Sequence, residues 1–263
     1  MPYPFPPSLS GEPPRLLVSV RSALEAASAI EGGAEILDVK DPDRGSLGCP
    51  APDTLFSICQ AAGASPRRDL PVTVALGECL EWTEQTPFPL PGQITMAKIG
   101  LSGLGESAGW RDQWLRVRQR FEDERGTGIH WVAVAYLDQD DAGSPSIDDI
   151  AGAAIDTGCA GLLLDTFNKS SGRLFDHVSP ERLAGLAGRM HSGGRFLAAA
   201  GRLNLEDITR LSTLPVDVVA VRSAACEKAD RRSPVTSRHV AECLTSLRAG
   251  GRQAASAHEK SPA

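Results

Sequence analysis

Short apolar runs alternate with longer amphipathic stretches along most of this chain, and turn residues separate the two kinds of segment. A short, nearly unbroken apolar run between turn signals is typical of a strand that is buried on both faces of a parallel sheet. Eight such strands are predicted, over residues 16–20, 35–40, 71–76, 94–99, 130–137, 161–164, 195–200 and 216–221.

The stretches between the strands predict helices, because several of them carry helix start or stop signals. Pro52 or Asp53 is the predicted N-cap of the second helix, and Ser146 with Asp149 has the spacing of a capping box. The segment 79–92 differs, because the prolines in its second half forbid a regular helix, and we expect a loop or a short broken helix there. The predicted helices cover residues 22–31, 53–62, 110–125, 146–157, 180–191, 205–211 and 238–248.

This alternation predicts an α/β fold, a single-domain (β/α)8 TIM barrel over residues 15–249, and the 263-residue chain is long enough for one. Residues 1–14 are rich in proline and are expected to be a disordered N-terminal extension. Residues 250–263 are small and polar and are expected to be a disordered tail. A doubly wound open sheet is the main alternative fold, but it seldom places acids and lysines at so many strand ends.

The second predicted strand is the most unusual one. Asp38 interrupts its apolar run and Lys40 ends it, and both groups are costly to desolvate in a buried strand. Because side chains alternate along a strand, Asp38 and Lys40 point the same way, into the centre of a closed sheet. The catalytic ends of barrel strands are their carboxyl ends, so these two residues are candidate site residues.

Polar residues also end or follow most of the other strands, and they are expected to converge at one mouth of the barrel. A lysine inside a barrel can have a depressed pKa and act as a nucleophile toward carbonyl carbons or as a proton shuttle. The alternative is a rim lysine paired to a carboxylate. Embedding in an apolar strand favours the functional interpretation for Lys40 and Lys98, whereas Lys169 lies beyond its strand and both interpretations stay open. The strand-end set is Asp38, Lys40, Glu78, Lys98, Asp138, Asp165, Lys169 and Arg222.

The loops after the seventh and eighth strands are candidate phosphate sites, as in many barrels. They offer small residues and a basic one, which suit a phosphate, and the predicted contacts are Gly201, Arg222, Ser223 and Ala224. The alternative for Arg222 is an ion pair with an acid such as Asp230. For Arg231 and Arg232 a place near the mouth is one interpretation, and solvated loop charge is the favoured one.

Composition and charge exclude several classes of function. The apolar fraction of 41% and the charged fraction of 23% are ordinary for a globular protein. The net charge of -6, without a basic stripe, argues against nucleic acid or an anionic membrane as the main partner. The six cysteines and five histidines show no metal-ligand spacing, and neither a signal peptide nor a membrane span is recognisable, so we expect a cytoplasmic location.

Several segments, taken in order, resemble the (5-formylfuran-3-yl)methyl phosphate synthase family, whose enzymes make the furan precursor of methanofuran and related one-carbon carriers. The resemblance covers about residues 15 to 248, and the most specific segments surround Asp38–Lys40 and Asp165–Lys169. The matching segments are LLVSV, ILDVKDPDRGSLG, AKIGLSG, LLLDTFNKSSGRLFD, AAAGRLNLEDI and VAVRSAACEKADR.

The resemblance implies a TIM barrel that needs no metal or organic cofactor. It implies condensation of two molecules of glyceraldehyde 3-phosphate into a furan aldehyde carrying one phosphate, with release of phosphate and water. Its partners would be a small phosphorylated substrate and further copies of the chain in a homo-oligomer, with no nucleic acid or membrane. The family's functional residues fall on Lys40, Lys98, Lys169, Asp38 and Asp165.

Carbonyl chemistry gives each of these residues an expected role. We expect Lys40 to form a Schiff base with Asp38 beside it, and Lys169 with Asp165 to transfer protons, although the roles of the two lysines could be reversed. Lys98 would lower the pKa of a neighbouring lysine or stabilise enolate charge.

The chain departs from the family pattern at the prolines of segment 79–92 and at Ser223, where relatives have glycine. The first change could alter oligomer contacts or access to the site, and the second could hinder close approach of the backbone to a phosphate. Two other functions stay open: another Schiff-base aldolase on small sugar phosphates, and an inactive barrel that only binds a metabolite.

Overall fold

The computed structural model describes residues 13–67, 69–125 and 128–258, and the side chains of these residues up to 249. Eight parallel strands close into one barrel in the order β1 to β8, so the predicted single-domain TIM barrel is confirmed. The strands are β1 (Arg15–Val20), β2 (Ile36–Val39), β3 (Val72–Glu78), β4 (Ile94–Gly100), β5 (His130–Tyr136), β6 (Gly161–Asp165), β7 (Phe196–Ala199) and β8 (Val218–Val221).

The strand register decides which polar residues meet at the mouth. Asp38 on β2 lies between Ser19 on β1 and Thr73 on β3, and Lys98 on β4 lies beside Ala75 on β3. Below these residues the interior is apolar, which keeps water out of the lower barrel. The side chains that form this apolar floor include Leu17, Ile36, Met96, Val132, Leu163, Phe196 and Val218.

Helices pack around the outside of the barrel. The N-cap of helix α2 (Pro52–Ala64) is Ala51, so the predicted N-cap at Pro52 or Asp53 is wrong. Pro52 instead occupies the first helical turn, where a missing N–H costs nothing. Two one-turn helices, α4 and α6, were not predicted, since four residues are too few to show a helical period. The helices are α1 (Ala23–Glu31), α2 (Pro52–Ala64), α3 (Trp110–Arg125), α4 (Gln139–Ala142), α5 (Ile147–Asp156), α6 (Leu174–His177), α7 (Pro180–Ser192), α8 (Leu205–Leu211) and α9 (Ser237–His258).

The proline-containing segment after β3 has no α-helix, as predicted, but it is firmly packed. After a 3-10 turn over Cys79–Trp82, the chain packs against the buried side of α3. The rings of Trp82 and Phe121 meet edge to face with centroids 4.7 Å apart, and Phe88 packs on Phe121 at 6.2 Å. Arg120 donates hydrogen bonds to the carbonyl oxygens of Trp82 and Gln85, at 2.5 and 2.7 Å. Aromatic packing on α3 therefore replaces the helix that this position has in other barrels.

The structure describes little of the predicted N-terminal extension but more than half of the predicted C-terminal tail. Residues 1–12 of the proline-rich extension lie outside the described residues. The predicted C-terminal tail from residue 250 begins inside α9, which continues to His258 instead of ending at residue 248. The alanines within 254–257 are strong helix formers, which explains the longer helix. Residues 259–263 lie outside the described residues.

Truncation of Phe121 tests the packing of the proline-containing segment after β3 on α3. Phe121 is fully buried, so Phe121→Ala should lower the free energy of unfolding by about 3–5 kcal/mol, as large-to-small core substitutions do. Phe56→Ala is the matched control, because Phe56 is 47% exposed and its loss should cost less than about 1.5 kcal/mol. Urea denaturation followed by circular dichroism measures both, and equal losses would contradict this account of the segment.

Candidate active site

A cavity opens at the carboxyl ends of the strands, with a volume of about 880 Å³ including its part open to solvent. Six of the eight predicted strand-end residues line it, and Glu78 and Asp138 do not. No residue of segment 79–93 lines it either. The six lining residues are Asp38, Lys40, Lys98, Asp165, Lys169 and Arg222.

The first pair of charges is Lys98 with Asp38, and both side chains are buried. Nζ of Lys98 donates to Oδ1 of Asp38 and lies 3.3 Å from the hydroxyl of Thr73. The same Asp38 oxygen accepts a 2.6 Å hydrogen bond from Thr73, and Ser19 donates to the other oxygen at 3.3 Å. Four neighbouring strands thus hold one neutralised ion pair, and Lys98 has no free amine for chemistry.

The second pair is Lys169 with Asp165, at the end of β6. Nζ of Lys169 lies 3.2 Å from Asp165 and 2.9 Å from the hydroxyl of Ser46, and it also donates to the carbonyl oxygen of Thr166. Ser46 in turn donates to Asp165 at 3.1 Å. Burial raises the pKa of Asp165, but the nearby Lys169 and Lys40 outweigh burial and leave the pKa below its usual value. Asp165 is therefore a carboxylate at neutral pH.

Ser46 reaches this pair because the loop after β2 folds back over the mouth. The N–H of Asp41 donates to the carbonyl oxygen of Gly48 at 2.8 Å, and the N–H of Gly77 donates to that of Leu47 at 2.8 Å. A Cβ on Gly48 would lie 2.1 Å from the carbonyl oxygen of Asp41, so only glycine allows the loop to close. The loop fixes Ser46 and forms one wall of the cavity.

Lys40 lies between the two pairs and differs from both. Its side chain is buried, and within residues 13–67, 69–125 and 128–249 no group accepts a hydrogen bond from its Nζ. Burial lowers its pKa to about 8; Asp165 and Asp38 oppose this shift, and Lys169 and Arg231 reinforce it. Lys169 and Arg231, rather than Lys98, are thus the cations that weaken its basicity. Lys40 is an amine with a low pKa and no fixed partner, which suits a nucleophile.

Comparisons with known proteins show to which family the chain belongs. The sequence model of the family described as 4-HFC-P synthase matches residues 16–244. The chain belongs to this family. It is 36% identical over 228 residues to the (5-formylfuran-3-yl)methyl phosphate synthase of Methanococcus maripaludis strain C7, covering 82% of this chain and 91% of that protein. It is 31% identical over 242 residues to the enzyme of the same name from Methanopyrus kandleri, covering 88% of this chain and 97% of the relative.

A solved structure shows the same fold as this 4-HFC-P synthase family member. Wild-type GGGPS from Thermoplasma volcanium superposes with a TM-score of 0.61 at 11% identity, covering 92% of this chain and 94% of that one. Such low identity supports the barrel fold and nothing finer. Within the described residues of the present chain, no helix is both long and apolar enough to cross a membrane.

Asp138 and Glu78, two predicted strand-end acids, support the site from outside the cavity in this family member. Asp138 accepts hydrogen bonds from the backbone N–H groups of Phe167 and Asn168, both at 2.7 Å, and so anchors the turn that carries Lys169. Glu78 accepts a 2.9 Å hydrogen bond from the N–H of Ser102 and another from the Tyr136 hydroxyl. Burial raises the pKa of Glu78. Neither acid has a hydrogen bond or ion pair with Lys40, Lys98 or Lys169 within the described residues.

Three of the four predicted phosphate contacts of this 4-HFC-P synthase family member line the cavity. Gly201 and Ser223 line it, and Ala224 does not. Gly201 has φ 108, and a Cβ there would lie 3.2 Å from a methyl group of Thr166, so the tight turn after β7 needs glycine.

Arg222 lines the cavity, but its guanidinium serves the fold. Its Nη1 and Nη2 atoms bind both carboxylate oxygens of Glu25 on α1. The other N–H groups donate to the carbonyl oxygens of Ser19, Arg231 and Ser233, at 3.0, 3.0 and 3.3 Å. All five N–H groups of Arg222 are occupied, so a phosphate would need another cation. The acid partner is Glu25 rather than Asp230, because α1 places Glu25 directly beneath the guanidinium.

Sequence reasoning missed Glu25, Ser46, Thr73 and the cavity-facing position of Arg231. Glu25 was the one charged residue on the buried face of an alanine-rich helix, which is a signal that could have found it. Ser46 and Arg231 lie in loops, where no periodicity indicates direction.

Removal of the Glu25 charge tests the buried pair. Glu25→Gln leaves the buried Arg222 charge without a carboxylate, so the free energy of unfolding should fall by about 3 kcal/mol. Glu242→Gln is the matched control, since Glu242 and Arg238 form an exposed ion pair within α9 that is worth about 0.5 kcal/mol or less. Thermal and urea denaturation measure both changes. A Glu25→Gln protein as stable as the control variant would mean that Arg222 does not depend on this pair.

Proposed function

We propose that this family member is a lyase that condenses two molecules of glyceraldehyde 3-phosphate into (5-formylfuran-3-yl)methyl phosphate, in the biosynthesis of a methanofuran-like cofactor. The observation that carries the proposal is the buried, unpaired amine of Lys40 between two neutralised lysine–aspartate pairs. The names of the relatives support the product. The two trioses supply all the carbon, and one phosphate and two water molecules leave. The balance needs no oxidant or reductant.

The first step is isomerisation of one triose phosphate to its ketone, dihydroxyacetone phosphate. This step moves a proton between adjacent carbons and needs a general base and an acid. Asp165 is ionised and lies in the cavity beside the Lys169 ammonium, so it can take the proton while Lys169 returns one to the substrate oxygen. Ser46 bridges the two groups and fixes their geometry.

The second step forms the carbon–carbon bond. The neutral amine of Lys40 adds to the aldehyde carbon of the second glyceraldehyde 3-phosphate, and water leaves to give an iminium ion. Loss of the proton from its second carbon expels phosphate from its third carbon, and the enol that results attacks the ketone carbon of dihydroxyacetone phosphate through that third carbon. This bond gives the branched six-carbon skeleton of the product. The Lys98–Asp38 pair lies in the same cavity and can stabilise charge that develops on the ketone oxygen.

Ring closure and eliminations complete the sequence. The free hydroxyl oxygen of the former ketone adds to the second carbon of the Lys40-bound triose and closes the five-membered ring. Two water molecules then leave by elimination, and hydrolysis of the iminium ion releases the aldehyde and regenerates the amine of Lys40. Lys169 and Asp165 supply the proton transfers.

The assignment of Lys40 rather than Lys169 as the Schiff-base residue follows from their surroundings. Nζ of Lys169 is held by Ser46, Asp165 and Thr166, so its attack on a carbonyl would break several hydrogen bonds. Nζ of Lys40 breaks none. The lowered pKa leaves roughly one Lys40 amine in ten neutral at pH 7, against roughly one in three thousand at its ordinary value.

Product identification with lysine variants tests the function. The wild-type protein given glyceraldehyde 3-phosphate should release phosphate and form a product with the mass and near-ultraviolet absorbance of the furan aldehyde. Lys40→Gln should abolish turnover and Lys169→Gln should lower it by about 100- to 10,000-fold, as loss of a general acid–base group does. Lys228→Arg, in an exposed loop, is the control and should keep full activity. A different sugar phosphate as product would favour the aldolase alternative, and no product would favour a binding barrel.

The pH dependence of Schiff-base formation tests the Lys40 assignment. Borohydride trapping with glyceraldehyde 3-phosphate does not depend on isomerisation, so it should persist in Lys169→Gln and disappear in Lys40→Gln. Because the pKa of Lys40 is lowered to about 8, the trapping rate should rise with pH through a midpoint near 8 as the amine loses its proton. Lys169→Gln removes a cation and should move the midpoint upward, whereas Asp165→Asn removes an anion and should move it downward. A wild-type midpoint near 10.5 would contradict the assignment.

A further inference from the structure

The charges that line the cavity do not balance, although the chain as a whole carries a net charge of -6. Six basic side chains and two acidic ones line it. Lys98 is neutralised by Asp38, Lys169 by Asp165, and Arg222 by Glu25. The basic residues left without a carboxylate partner among the described residues are Lys40, Arg202 and Arg231. The proposed chemistry uses Lys40, and the two arginines have no role in it yet.

Arg231 is placed across the mouth by two fixed contacts. Its carbonyl oxygen accepts the Nε–H of the buried Arg222, at 3.0 Å. Its own Nη2 donates to the carbonyl oxygen of Gly45 at 2.8 Å, so the side chain spans from the loop after β8 to the loop after β2. These contacts aim the guanidinium and leave its other N–H groups available for an anion.

The electrostatic surroundings of Arg231 place it beside the reactive groups. Its charge lowers the pKa of Lys40. Burial lowers the pKa of Arg231 itself, and the nearby Asp165 carboxylate opposes that shift. The nearby acid outside the cavity, Asp43, is shared between Arg21 and Arg232, each at 3.5 Å. An anion bound at Arg231 would therefore lie within a short substrate's reach of Lys40.

Arg202 faces the same cavity from the turn after β7. Its backbone has φ 51, a left-handed conformation that non-glycine residues seldom adopt. The turn combines this strained arginine with Gly201, and the guanidinium of Arg202 has no hydrogen-bond acceptor within the described part of the chain.

We propose that Arg231 and Arg202 form the subsite that binds a phosphate monoester of the substrate, with Arg231 as its principal cation. Arginine forks match phosphate oxygens in pairs, and two cations match a doubly charged phosphate. The inference rests on the proposed function for the identity of the substrate, a short-chain carbonyl phosphate. Arg222, singled out by the sequence, is here a positioning residue that holds Arg231 through its carbonyl oxygen.

Binding of an unreactive phosphate ester separates this inference from the proposed function. Glycerol 3-phosphate has no carbonyl group, so isothermal titration of the intact protein with it measures the subsite without turnover. Arg231→Gln should weaken binding by about 10- to 100-fold, and Arg202→Gln by about 3- to 10-fold. Arg232→Gln is the matched control, because Arg232 follows Arg231 directly, is 77% exposed in its side chain and does not line the cavity, so binding should stay within about twofold. Glycerol, which lacks the phosphate, should show no dependence on Arg231.

The possible results distinguish failure of the phosphate subsite from failure of the proposed function. Unchanged binding in Arg231→Gln, or no binding of glycerol 3-phosphate to the wild-type protein at millimolar concentration, would overturn the subsite. Arginine-dependent binding together with no furan product would keep the subsite and reject the proposed function. If Arg231→Gln does not fold, as judged by circular dichroism, Arg231→Lys replaces it: a point charge that has lost the fork should still bind several-fold more weakly than wild type, and equal binding would overturn the proposal.

Discussion

The cost of burying charge governs this molecule. The closed barrel has an apolar floor, so every ionised group at its mouth is partly removed from water and needs a partner. Lys98, Lys169 and Arg222 each have a carboxylate partner. Lys40 has no carboxylate partner, and burial lowers its pKa. The pairing of its neighbours and the isolation of Lys40 are thus two consequences of one constraint.

The pairs also give the mouth its shape. Asp38 is held by β1, β3 and β4, and Ser46 ties the loop after β2 to the end of β6. Arg222 joins β8 to α1 and supports the carbonyl oxygen of Arg231. Groups that carry out carbonyl chemistry must be held in place, since a small displacement of a reacting group costs much of the rate. The ion pairs supply that rigidity around the buried amine of Lys40.

The proposed division of labour follows the geometry. Lys40 would form the covalent intermediate, the Asp165–Lys169 pair would move protons, and cations at the outer edge of the mouth would hold phosphate. The proline-containing segment packs on α3 and contributes no residue to the cavity lining. Ser223, in the loop after β8, does line the cavity.

The sequence by itself determined the barrel, because eight buried parallel strands need apolar runs and their connections need helices, and both patterns are local. It also pointed to Asp38, Lys40, Lys98 and Asp165 as charges at the mouth, because a charge inside an apolar strand or at its end is visible without a structure. Lys169 lies beyond its strand, and only the family resemblance favoured it. Only the tertiary structure decided which lysine is free, since pairing depends on strand register and on loops that fold back over the mouth. It also decided that Arg222 belongs to Glu25, nearly two hundred residues away, and that Arg231 faces the cavity. Contacts between residues so distant in sequence form only when the barrel closes, and no local pattern encodes them.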